Sequence, residues 1–155
     1  MDGKRGLIMG VANDKSIAWG IAQACHEQGA SLAFTYQGEA LGKRVQPLAA
    51  SVGSDIVVPC DVTDEASLDA AFATLSDRWG SLDFLVHAIG FSDKNELRGS
   101  YTENTTAANF TQTMLISVYS FTAAAQRAER LMPHGGSLLT LTYYGAEKVM
   151  PHYNV

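Results

Sequence analysis

A chain of 155 residues, 46% of them apolar and 17% charged, is long enough to bury one sizeable core and too apolar to be a disordered tail. Its formal net charge of −5 speaks against a nucleic-acid or anionic-membrane partner, with Lys43-Arg44 the one adjacent basic pair beyond the N-terminus. No apolar run approaches the roughly 18 residues of a membrane span, and a glycine arrives too early for a secretory leader, so a cytoplasmic protein with no membrane partner is expected.

Short apolar runs alternate with longer amphipathic stretches along the chain, the pattern of strands alternating with helices. Gly6 to Gly10 reads as a first buried strand. Ser16 offers an N-cap to a helix that places Ile17, Ala18, Ile21, Ala22 and Cys25 on one face, and Gly29 stops it. Ser31 to Thr35 is a second strand, followed by a helix with Leu41, Val45, Leu48 and Ala49, and Asp55 to Pro59 a third. Thr63 is expected to cap the next helix, whose buried stripe is Leu68, Ala71, Phe72, Leu75 and Trp79. Leu82 to His87 is a fourth strand. A polar loop or helix approach from Ser92 to Thr106 leads into a long helix filling much of Phe110 to Leu131. Pro133 to Gly136 ends that helix, and Ser137 to Thr142 is a fifth strand.

Strands this apolar need cover on both faces, and right-handed crossovers then give an α/β fold: a Rossmann-like, doubly wound parallel sheet with helices on both sides. With no repeat, linker or low-complexity tract, residues 1–155 read as a single domain. Cys25 and Cys60 stand apart without metal-ligand spacing, so they read as reduced core thiols and no metal site is expected.

Such sheets bind ligands beyond the carboxyl ends of their strands. The first strand-to-helix turn, Gly10 to Gly20, puts small residues where backbone must approach a pyrophosphate at a positively polarised helix start, although it lacks the compact G-x-G-x-x-G spacing and Ser16 would cap a helix equally well without ligand. After the second strand stand Tyr36 and Gln37 instead of the usual ribose-binding acid. The Gln37 amide can both donate to and accept from ribose hydroxyls, and no arginine stands at the strand end for a 2′-phosphate, which favours NADH over NADPH. Asp61-Val62 can meet adenine with a carboxylate and an apolar side chain; equally, Asp61 can simply begin a turn. His87 reads as a hydrogen-bonded interior residue, and the small residues after it leave room for a ribose.

Taken together, Gly-(x)5-Ser-Ile-Ala-x-Gly at Gly10 to Gly20, Phe34-Thr35-Tyr36-Gln37, Cys60-Asp61-Val62, His87-Ala88-Ile89-Gly90-Phe91 and Leu139 to Glu147 resemble bacterial enoyl-acyl-carrier-protein reductase of the FabI type, a divergent branch of the short-chain dehydrogenases/reductases. The resemblance runs over essentially the whole chain, and its final segment, ending Pro151-His152-Tyr153-Asn154-Val155, is the most specific part. It implies NADH as cofactor, with Gly10, Ala12, Ser16, Ile17, Gln37, Asp61, Val62, Ile89 and Gly90 as dinucleotide contacts. It implies Tyr143 and Tyr153 as the two active-site tyrosines, and Ser92 and Leu97 as lining for the acyl site. The implied reaction moves hydride to the β-carbon of a trans-2-enoyl thioester carried by acyl-carrier protein, in fatty acid synthesis. Tyr153 would donate a hydrogen bond to the enolate oxygen. The family habit implies a homotetramer, for which the helix from Phe110 to Leu131 is a candidate contact, burial within one subunit being the alternative.

In that family a lysine follows the second tyrosine by seven positions, beyond Val155. The resemblance therefore implies an N-terminal portion, C-terminally incomplete, that is inactive by itself. Two other readings stay open: a short-chain reductase acting on a carbonyl, whose lysine would follow the tyrosine by four positions, and a dinucleotide-binding module without catalysis.

Overall fold

In the computed structural model, which describes residues 1–155, five strands form one sheet: β1 (Arg5–Met9), β2 (Ser31–Tyr36), β3 (Val57–Pro59), β4 (Phe84–His87) and β5 (Ser137–Thr140). They lie in the order β3-β2-β1-β4-β5, and every pairing is parallel. The order reverses direction at β1, which places a crevice between the carboxyl ends of β1 and β4. The expected doubly wound architecture is the observed one.

Helices α1 (Ile17–Glu27) and α2 (Gly38–Ser51) cover one face of the sheet, where Trp19, Ala22, Val45 and Ala49 pack on Ile8, Phe34 and Val86. Helices α3 (Glu65–Trp79) and α6 (Ser120–Arg130) cover the other, packing Leu68, Phe72, Leu75, Ala124 and Ala128 on Leu7, Ala33 and Leu85. Arg127 on α6 locks the two helices of that second layer together, donating to Asp69 Oδ1 at 2.7 Å and to Glu65 Oε2 at 2.5 Å. β5 has no such cover, and all four of its residues are exposed.

Several local expectations are corrected. Ile17 is 67% exposed; the buried side of α1 is carried by Ala18, Trp19 and Ala22, because the helix begins at Ile17 and turns that first residue toward the loop end. The N-cap of α3 is Asp64 rather than Thr63: the Asp64 carboxylate accepts from the Ala66 N–H at 3.0 Å, while Thr63 is occupied with Asp61. The long helix exists, but in three parts. After a short α4 (Tyr101–Asn104), α5 (Ala107–Met114) passes through a π turn (Leu115–Tyr119) into α6.

His87 is an interior residue, as expected. Its Nε2 lies 2.7 Å from Ser120 Oγ and its Nδ1 3.2 Å from Thr140 Oγ1. Since Ser120 donates its own proton to the Ile116 carbonyl, Nε2 carries the imidazole hydrogen and Nδ1 accepts from Thr140. Burial lowers the His87 pKa. A histidine held neutral in the fold contributes stability that is fully present above the free-imidazole value of about 6.5. That stability drains as pH falls below it and is gone once pH has passed the depressed folded value. Acidification from pH 7 to 5 is accordingly expected to lower the melting temperature more in the wild type than in His87→Gln; parallel curves would contradict this.

Candidate active site

The first wall of the crevice is the β1–α1 loop. Gly10 takes φ +104°, and a Cβ there would meet the Ala88 carbonyl oxygen at 2.1 Å, so only glycine lets this loop close against the β4 segment. Ser16 does not cap its helix with its side chain. Its hydroxyl turns back to accept from the N–H groups of Ala12 at 2.9 Å and Asn13 at 3.0 Å, which fixes the loop's shape. The Trp19 and Gly20 N–H groups donate to the Ser16 carbonyl, which leaves those of Ile17 and Ala18 as the unsatisfied donors of a helix start, suited to an anion.

The far end is built by β2 and β3. Gln37 donates to Asp61 Oδ2 at 3.3 Å, and Asp61 Oδ1 accepts from the Thr63 N–H at 2.9 Å and hydroxyl at 2.7 Å. These Thr63 bonds, with a smaller contribution from Gln37, hold the Asp61 carboxyl below the usual carboxylate range. Asp61 thus begins a turn with one oxygen and stands in the crevice beside Gln37 with the other.

Between these ends runs a cleft of ≈ 550 Å³. Seven residues expected to contact a dinucleotide line it: Gly10 and Ala12, Gln37, Asp61 and Val62, and Ile89 with Gly90. Ser16 and Ile17 do not line it; they stand behind the loop and at the helix start. The cleft's volume falls in the range of small-molecule and cofactor sites. Cys60 also faces it, but burial, reinforced by the neighbouring Asp61 charge, pushes its thiol up to about 11, so it is protonated and unreactive at neutral pH.

Beyond β5 the chain brings the two tyrosines together. The rings of Tyr143 and Tyr153 lie 4.9 Å apart, tilted by 45°. Each is about half exposed, and neither belongs to the wall of the cleft itself. Asn154 ties the tyrosine segment to the loop after β4, donating from its backbone to Leu97 O at 3.3 Å and from its side chain to Glu96 O at 2.9 Å. Leu97 therefore sits beside this segment, whereas Ser92 is held against α5 by the Asn109 amide at 3.2 Å. His152, just before Tyr153, is the one non-glycine residue with positive φ, at 62°, a conformation that aims the next side chain at some cost.

The family model described as enoyl-(acyl carrier protein) reductase matches residues 10–155. The chain belongs to the enoyl-(acyl carrier protein) reductase family. It is 65% identical to enoyl-[acyl-carrier-protein] reductase [NADH] 2 of Rhizobium meliloti, over all of this chain and 58% of that protein. It is 52% identical to the NADH-type FabI of Rickettsia bellii, over all of this chain and 59% of that protein. Among solved structures, FabI from Candidatus Liberibacter asiaticus superposes with a TM-score of 0.96 at 60% identity, over 99% of this chain and 59% of that one. The Anaplasma phagocytophilum reductase in complex with NAD superposes with a TM-score of 0.95 at 60% identity, again over 99% and 59%. The chain thus spans about 58% of the length of the first of these reductases.

Some cleft residues of this family member are not signalled by any motif. Gln112 and Ile116 reach the cleft from α5 and the π turn. The helical stripe in the sequence assigns such residues to a face, but not to the face that a π turn rotates toward the sheet.

Proposed function

We propose that the protein is an NADH-dependent enoyl-acyl-carrier-protein reductase of fatty acid synthesis, acting on trans-2-enoyl thioesters. The observation that carries this reading is one continuous cleft with dinucleotide-fitting walls at the same end of the sheet as a paired Tyr143 and Tyr153. The fit to NADH rests on the close backbone approach at Gly10, the free donors at the start of α1, and the Gln37–Asp61 pair for the adenosine hydroxyls and base. With no basic residue at the end of β2, and Lys43 paired to Glu39 at 2.7 Å, nothing at that position is committed to a 2′-phosphate.

NADH, when bound, supplies the hydride. The chain's own residues do the rest. Gly10 and Ala12 would let the backbone come close, the free N–H groups at the α1 start would meet the pyrophosphate charge, and Ile89, Gly90 and Val62 would exclude water along the apolar side. Tyr153 holds its phenolic proton toward the thioester oxygen, where negative charge develops. A donor preorganised at that atom stabilises the transition state more than the ground state. Tyr143, packed on its ring, shapes the pocket, and Leu97 and Ser92 supply acyl-side surface.

Acyl-carrier protein is the carrier of the substrate in this reading, and a second copy of the chain is the further partner. Phe110, Met114 and Val118, at successive four-residue spacings, are 43%, 41% and 52% exposed and form an apolar stripe suited to a homo-oligomer contact. No helix is long and apolar enough to cross a membrane; the cytoplasmic site of action belongs to the fatty-acid-synthesis reading.

The test is an NADH titration followed by turnover assays on the complete enzyme. NADH oxidation that depends on an enoyl thioester is expected. Binding without turnover would leave only a dinucleotide-binding module, and turnover of ketones in place of enoyl thioesters would make the protein a carbonyl reductase.

A further inference from the structure

The loop that follows β4 forms the Ile89–Phe91 wall of the cleft, and it is fastened to the neighbouring helix at several points. Ser117 makes two bonds to a single residue: its Oγ accepts from the Phe91 N–H at 3.0 Å and donates to the Phe91 carbonyl at 3.2 Å. Asn109, buried, binds the next two residues, its Oδ1 accepting from the Asp93 N–H at 2.9 Å and its Nδ2 donating to Ser92 Oγ at 3.2 Å. Three consecutive loop residues are therefore held by two side chains eight positions apart on one helix.

At 3.6 residues per turn, positions eight apart are rotated by about 80° around the axis, close to the full width of one helical face. The π turn at Leu115–Tyr119, whose wider i→i+5 ring rotates less per residue, narrows that angle and brings Ser117 nearer the line of Asn109. The same turn carries Ile116 into the cleft.

We infer that Ser117 is a positioning residue for the dinucleotide: through the π turn, its hydroxyl clamps the Phe91 backbone and sets the position of the Ile89–Phe91 wall. Ser117 acts through that wall, without touching the ligand itself, and the inference rests on the NADH reading above. Two backbone bonds at a half-buried serine are a modest part of global stability, because the sheet and both helix layers are formed elsewhere. Their loss is felt where the wall is free to shift.

In the complete enzyme, Ser117→Ala is expected to raise the NADH Kd about tenfold, the worth of roughly one to two hydrogen bonds. The melting temperature should stay within about 2 °C of wild type, and the Phe91 amide should exchange its hydrogen faster. Ser117→Thr, which keeps the hydroxyl, is expected to restore both the affinity and the slow exchange. Unchanged NADH affinity in Ser117→Ala overturns the inference. So does a loss of affinity that Thr fails to rescue, or one accompanied by a proportionate fall in melting temperature, since either marks a purely structural role. If the wild-type enzyme itself binds no NADH, the cofactor reading fails, and this inference with it.

Discussion

Gly10→Ala in the complete enzyme is expected to weaken NADH binding by about 100-fold or more, about 2.7 kcal/mol, and to destabilise the fold. Two independent obstacles act at that position. The backbone sits at φ +104°, where an L side chain is strained, and the added methyl would lie 2.1 Å from the carbonyl oxygen and 2.5 Å from the carbonyl carbon of Ala88. Both obstructing atoms are backbone, so no side chain can swing aside. Relief requires the β1–α1 loop to move off β4, and that movement opens the seam on which the pyrophosphate would rest. Strain of this kind costs roughly 1–3 kcal/mol before the collision is counted. Gly20→Ala provides the control, because a Cβ at Gly20 meets nothing within 4 Å and alanine is the better helix former. Urea unfolding and fluorescence titration of the two variants should separate them sharply. A Gly10→Ala protein that melts and binds like wild type would show that the loop is not seated as described.

Tyr153→Phe is expected to lower kcat by about 100- to 1,000-fold, the usual loss on removing one donor to a developing oxyanion, with NADH affinity retained. The phenyl ring preserves the packing against Tyr143, whose centroid is 4.9 Å away, so the loss is assigned to the hydroxyl alone. Tyr143→Phe should cost far less, because its proposed task is shape. If the two substitutions prove equally damaging, or if Tyr153→Phe turns over normally, the assignment of roles between the rings is wrong. The segment is set for such precision by the paired Asn154 bonds to Glu96 and Leu97 and by the left-handed backbone at His152.

Most of the sheet is readable from the chain, because strands buried on both faces appear as continuous apolar runs closed by small or polar residues. The segments chosen from that rule at Gly10, Gln37, Asp61 and Ile89 do converge on one cleft. Helix starts are harder to read. Thr63 and Asp64 are both good caps, and Asp64 is the cap in the fold because Asp61 engages the Thr63 hydroxyl first. Ser16 has the right residue type for a cap, but a loop with two backbone N–H groups lacking other partners draws its hydroxyl backward. The π turn leaves no compositional trace, since Leu115 to Tyr119 is as good a stretch of ordinary helix. Its consequences, Ile116 in the cleft and Ser117 on Phe91, therefore follow only from coordinates. The conformation of His152 is equally silent, being imposed by contacts that bridge more than fifty positions.

Of the five strands, the one synthesised first is the one that ends in the middle. β1 is flanked by β2 on one side and β4 on the other, so it has no complete set of neighbours until the chain has been synthesised past His87. The buried residues beneath α1 and α2 run from Ile8 to Val86, whereas those of the opposite face extend to Leu131. One side of the nascent protein can thus be shut against solvent while the other still waits for about 45 more residues, from Val86 to Leu131, to emerge, and growth proceeds outward from the centre, with the lopsided intermediate that this order of synthesis imposes.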